Sequence, residues 1–144
     1  MPDHFGPDRA AYYDDPSLDG TRPGWFNANV LAWKKTPTWS METLVAHEAV
    51  PGHHLQISLA QEQRKLPQFR RNAGYTAYVE GWALYAEQLG DEMGMYQDDW
   101  AGQLGYLQAQ RFRAIRLVVD TGLHAKRWTR EQAIDWAVAN SGRT

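Results

Sequence analysis

Apolar and polar positions divide this chain into a short alternating segment followed by stretches with helical period. In residues 25–33, Phe26, Ala28, Val30 and Ala32 interleave with Asn27, Asn29 and Leu31, which predicts a short strand. A turn over Lys34-Lys35-Thr36-Pro37-Thr38 follows, and Ser40 then stands where a helix N-cap belongs, with Glu42 in the first turn, where the helix dipole favours an anion. A first long helix is predicted from about Met41 to Arg64, with Leu44 and Val45 on one side of an interruption and Leu55, Ile57 and Leu59 on the other. The interruption is Pro51-Gly52. Proline has no amide proton and clashes with the preceding turn, so the helix should kink or bulge near Glu48 to Val50, and Gly52 permits unusual dihedrals after it.

Three further helices are predicted. The second spans about Gly74 to Gly90, with Tyr75, Tyr78, Val79, Trp82, Leu84, Tyr85 and Leu89 as its apolar positions. The third runs from about Gln97 or Asp98 to Leu123, with Leu104, Leu107, Ile115, Leu117 and Val118 inside. The last, about Arg130 to Ala139, opens on the capping-box pair Thr129 and Gln132. Residues 1–24 are rich in Pro, Gly and Asp and read as an irregular arm, leaving 25–144 as one core. The fold class expected is mainly α, with a bulged helix and a short edge strand or hairpin.

Composition narrows the chemistry. At 144 residues, 43% hydrophobic and 22% charged, the chain has the make-up of an ordinary globular domain. A net charge of −2 gives no electrostatic reason to expect nucleic acid or an anionic membrane as partner. No apolar run approaches spanning length, and Met1-Pro2-Asp3-His4 does not begin a signal peptide, which leaves the compartment undetermined. With no cysteine, disulfides and thiolate sites are excluded, and any metal must be held by His, Asp or Glu. Seven tryptophans indicate broad aromatic packing, or else a substrate cleft with aromatic walls, packing being the commoner role.

The densest chemistry lies in His47-Glu48-Ala49-Val50-Pro51-Gly52-His53-His54. It looks like a stretched His-Glu-x-x-His, in which two histidines four apart on a helix face one metal and the glutamate serves as general base towards a metal-bound water. Pro51 occupies the position of the second ligand. On an undistorted helix His47 and His54 stand two turns apart, roughly 10 Å, too far for one ion. A two-residue bulge at Pro51-Gly52 removes two positions from the helical count, so that His53 takes the second place in preference to His54. A third ligand is sought among Glu80 and Glu87, seven apart in the otherwise apolar 78–87 stretch. One could bind the ion while the other orients a histidine's second ring nitrogen. Arg113, Arg116, Asp120 and His124 recur at three or four and form one helical stripe. Such a stripe is either a solvated face or a functional one. In the functional case Arg116 binds a substrate carboxylate, His124 donates to a developing oxyanion, and Asp120 holds either in place.

The segments 47–56, 80–87 and 116–124 together resemble the bacterial domain-of-unknown-function family 885, whose members are regarded as metallohydrolases related to the gluzincin peptidases. The resemblance extends over most of residues 20–140. It implies a zincin-like helical catalytic core binding Zn2+ through His47, His53 and Glu80, with Glu48 as general base and His54 as a neighbour. It also implies Arg116 and His124 as active-site residues. Glu87, Asp120, Tyr78, Asn27 and Asn29 are expected around them, the asparagines on a strand that pairs with extended substrate. The expected activity is zinc-dependent hydrolysis of a peptide or small amide. Three other readings compete: a non-peptide amide or ester hydrolase, an inactive helical module that binds metal or a partner, and a structural domain in which His47 and His53 point apart. Family members are longer, so the chain reads as an excised catalytic core, part of a longer domain, with apolar faces open to self-association.

Overall fold

Proline and glycine at 51–52 do more than bulge a helix: they end one and begin another. In the computed structural model, which describes residues 11–29, 34 and 36–142, α1 covers Met41–Glu48 and α2 covers His53–Glu62. The amide of Ala49 still donates to Val45 O at 2.9 Å, closing α1. The Val50-Pro51 peptide is cis, and α2 opens with Gln56 N donating to Gly52 O at 3.1 Å. Glycine is needed at 52 for space and not for a left-handed dihedral, since its φ is −76°. A Cβ there would overlap the backbone carbonyls of His47 and Ala46. The expected single bulged helix is thus corrected to two helices joined by a tight four-residue link.

Three helices fall near their predicted places, α4 at Thr76–Glu92, α5 at Trp100–His124 and α6 at Arg130–Ser141, whereas α3 at Gln68–Arg71 has no predicted counterpart, four residues being too few to show a helical period. A 3-10 turn over Thr38–Ser40 precedes α1. Ser40 does not cap α1 through its side chain; its hydroxyl donates instead to Pro37 O at 2.8 Å. A β-hairpin stands before the helices, β1 (Tyr12–Asp14) running antiparallel to β2 (Trp25–Asn27), with Tyr13 opposite Phe26. The first strand lies in the stretch read as irregular, because three residues are too few to show an alternating pattern. The predicted strand reaches only Asn27 among the described residues; its Val30 to Trp33 portion lies outside them.

The described residues fall into two compact units, within 1–105 and within 106–144. In the first, α1 packs on α4 and α2 also touches α4. Small residues make the close approach: Ala46, Ala83 and Ala86 are fully buried, and Gly90 faces the Ala46 methyl. The Thr43 hydroxyl and the Tyr96 phenol hydrogen-bond at 2.9 Å beneath them. No large side chain is fully buried among the described residues. Val45, Leu59, Leu104, Leu107, Leu117 and Val118, read as inward-facing, are exposed. Helical period predicts which residues share a face but not whether a neighbour covers it. No described helix is long and apolar enough to cross a membrane.

In the second unit, α6 begins with the predicted capping box, Thr129 accepting from Gln132 N while the Gln132 side chain accepts from Thr129 N. It ends at Gly142 with φ 65°, a left-handed cap that suits glycine. Trp128 packs against Gly122, where any larger residue would strike its indole ring. Arg111 Nε donates to Asn140 O at 2.6 Å, tying the end of α6 to α5.

Candidate metal centre

The helix break carries the local chemistry. His47 sits in the last turn of α1 and His53 is the first residue of α2. Turning the chain between them brings their rings edge to face, with centroids 4.8 Å apart. The Trp82 indole N–H on α4 donates to Pro51 O at 2.8 Å and fastens the link. On α4, Glu80, Ala83, Glu87 and Gly90 recur at three or four, so the small residues that let α1 approach also carry two carboxylates to it. His47 Nδ1 donates to Glu87 Oε1 at 2.7 Å. In the neutral ring that bond puts the proton on Nδ1, and Nε2, the nitrogen a metal would take, faces Glu80 Oε2 at 3.6 Å.

His47, His53 and Glu80 each offer one donor atom, all within 4.8 Å of one another. Ligands of a single zinc ion are held at about 2.0–2.2 Å from it, so donors this close are candidates for one ion. The two imidazoles are buried, whereas the Glu80 side chain is 47% exposed, giving the cluster one open side. Two imidazoles and a carboxylate form a donor set suited to zinc, and the Glu87–His47 bond is the usual support for a ligating histidine. The residues present therefore fit a zinc ion.

Other expected site residues are placed as follows. Glu48 ends α1 beside His47 and is 8% exposed. His54 stands outside the donor set, and its Nδ1 hydrogen-bonds the Tyr13 hydroxyl of the hairpin at 2.9 Å. Asn27 donates to Asp14 Oδ2 at 3.0 Å, cross-linking the two strands, and Asn29 follows β2. Tyr78 is exposed on α4, and its carbonyl accepts from Gln56 Nε2 at 3.2 Å. Arg116, Asp120 and His124 belong to the second unit, on the exposed side of α5. There His124 Nε2 lies 3.4 Å from Asp120 Oδ1, and the Arg116 guanidinium stacks 5.7 Å above the Phe112 ring.

A cavity of about 580 Å³ opens onto His53 and Glu80. Its walls come from β1 and the residues after it (Tyr13, Asp15), from α2, from Arg70 and Arg71 of α3, and from the start of α4, including Tyr78. Sequence reading missed Tyr13, Asp15, Arg70 and Arg71. Each lies in a segment too short to show periodicity, and only the folded chain brings them to His53. Burial, and then repulsion from Asp14, pushes the Asp15 carboxyl above the ordinary carboxylate range, with His53 and Arg22 acting in the opposite sense. Burial likewise raises the Tyr13 phenol.

A mainly helical chain with a His/His/Glu donor cluster beside a cavity is the class that fold and site define. The chain belongs to the family of bacterial proteins of unknown function termed DUF885, whose family model matches residues 1–144. It is also similar to the crystal structure of "the putative lipoprotein from Colwellia psychrerythraea", with 50% sequence identity, a TM-score of 0.92 and all of this chain aligned. The chain spans 25% of that protein's length. No curated protein matches the sequence.

Proposed function

We propose that the first unit is the catalytic centre of a zinc-dependent, gluzincin-like hydrolase acting on peptide or small amide bonds. The observation that carries this reading is the convergence of His47, His53 and Glu80 to within 4.8 Å, with Glu87 bonded to His47 from behind. When bound, zinc supplies Lewis acidity, polarising a carbonyl and making water acidic near neutral pH. Glu87 holds the His47 ring so that Nε2 is presented unprotonated. Glu48, buried beside His47, takes the proton of the attacking water and passes it to the leaving amine. The cavity receives the substrate at His53 and Glu80, and Tyr13 steadies the start of α2 through His54.

The test is metal content and turnover measured together. Zinc analysis of the purified chain should give stoichiometric metal, lost in His53→Ala and kept in His54→Ala. Glu48→Gln should retain zinc and lose hydrolysis of unlabelled peptide mixtures by about 10²-fold or more, the usual contribution of a general base. Full activity in Glu48→Gln sinks the mechanism. Metal without turnover in the unmodified chain leaves a metal-binding module in its place.

A further inference from the structure

The cavity beside the donor cluster carries two cations that the hydrolytic reading does not use. α3 is a short helix whose last two residues, Arg70 and Arg71, both line the cavity with His53 and Glu80. The Arg71 guanidinium is anchored by Nη1, which donates to Gln61 O at 3.1 Å. Its Nε–H is buried and meets no acceptor among the described residues. No described carboxylate pairs with either arginine. An arginine held against backbone, with donors left over and no described carboxylate at ion-pair distance, is prepared for an anion from outside. The planar fork of guanidinium matches a carboxylate in two parallel hydrogen bonds, which a lysine cannot reproduce. The volume, about 580 Å³, is that of a site for a small ligand or a few peptide residues and not for a long polymer.

We propose that this cavity selects substrates bearing a carboxylate, which Arg71, assisted by Arg70, binds while the bond to be cut lies at His53 and Glu80. The proposal rests on the hydrolase reading for what happens at the scissile bond, but not for binding. A carboxylate of this kind comes either from a free peptide C-terminus or from an acidic side chain. The first makes the protein an exopeptidase-like enzyme of short peptides, and the second gives it an acidic-residue preference.

The experiment is titration calorimetry on the zinc-loaded Glu48→Gln chain and on the metal-free chain. Three probes are used: acetyl-trialanine with a free C-terminus, its C-terminal amide, and acetyl-Ala-Glu-Ala amide. One or both carboxylate probes should bind about tenfold or more tightly than the neutral amide, as a charge-assisted pair implies. Which of them does so identifies the source. Arg71→Ala should abolish the discrimination, and Arg71→Lys should restore only part of it. Arg70→Ala should reduce it and serves as the second variant if Arg71→Ala fails to fold by circular dichroism. Equal affinity for acid and amide overturns the proposal, as does undiminished discrimination in both arginine variants. Loss of discrimination in Arg116→Ala alone also overturns it and moves the carboxylate to α5. If no probe is hydrolysed by the unmodified chain yet discrimination persists and vanishes in Arg71→Ala, the hydrolase reading fails and the carboxylate site stands.

Discussion

Glu87 shows how much a single residue contributes beyond its place in a motif. It is 2% exposed, and a buried carboxylate needs a partner, which it finds in His47 at 2.7 Å. Through that bond it fixes which imidazole nitrogen faces Glu80. Glu87→Ala should therefore weaken zinc binding by about 10–100-fold, measured by competition with a chromogenic chelator, with Glu87→Gln intermediate. An unchanged affinity would mean that the bond does not orient the ring. Spacing alone leaves Glu80 and Glu87 equivalent, seven apart on one face, and the resemblance implies Glu80 as the ligand; the distances put Glu87 on His47 Nδ1 and Glu80 in the donor set. A second residue-scale consequence lies in the hairpin turn. Asp19 accepts from the Ser17 hydroxyl, then from the Thr21 hydroxyl and amide, and these bonds hold its carboxyl at about 2. The folded value is depressed, so the turn's contribution is complete above the unfolded value of about 3.9 and is lost as pH falls through about 2. The Asp19 carboxyl carbon followed by NMR should titrate near 2, and Ser17→Ala should move that midpoint upward.

At the scale of elements, the decisive feature is the link between α1 and α2. The Pro51-Gly52 pair is visible in the sequence as a helix breaker, and its consequence for His53 follows from counting residues. What counting does not give is the form of the break. The chain leaves the helix fully at Ala49, and room for that turn exists only because residue 52 has no side chain. Gly52→Ala would drive a Cβ into the carbonyls of His47 and Ala46, which are backbone atoms and cannot rotate away. We expect a loss of about 3 kcal/mol in chemical denaturation, together with loss of stoichiometric zinc, because the two histidine rings share the displaced segment. A variant with wild-type stability and metal content would show that the link tolerates crowding. By contrast, α6 was legible almost to the residue, since Thr129 and Gln132 satisfy its first amides locally and need nothing from the rest of the fold.

For the molecule as a whole, the balance of burial sets the expectation. Alanines and polar site residues fill the interior of the first unit, while many large apolar side chains remain exposed. A unit with so modest a core should draw much of its stability from an ion bound only in the folded state. Zinc at about 100 times its dissociation constant adds about 2.7 kcal/mol, so thermal unfolding should shift upward on adding zinc and downward with a chelator. His53→Ala should abolish that shift. An identical shift in His53→Ala would place the ion elsewhere.

The sequence by itself determined the longer helical segments, the place of the break at 51–52 and the residues capable of holding a metal, because hydrophobic period, proline's missing amide and imidazole chemistry are local properties. The partner of His47, the pairing of β1 with β2, the tie from Tyr13 to His54 and the presence of Arg70 and Arg71 beside His53 were decided only by the tertiary structure. Each joins segments remote in sequence. In the candidate metal cluster, that meeting depends on how closely α1 and α4 approach, a distance set by the small side chains of Ala46, Ala83, Ala86 and Gly90.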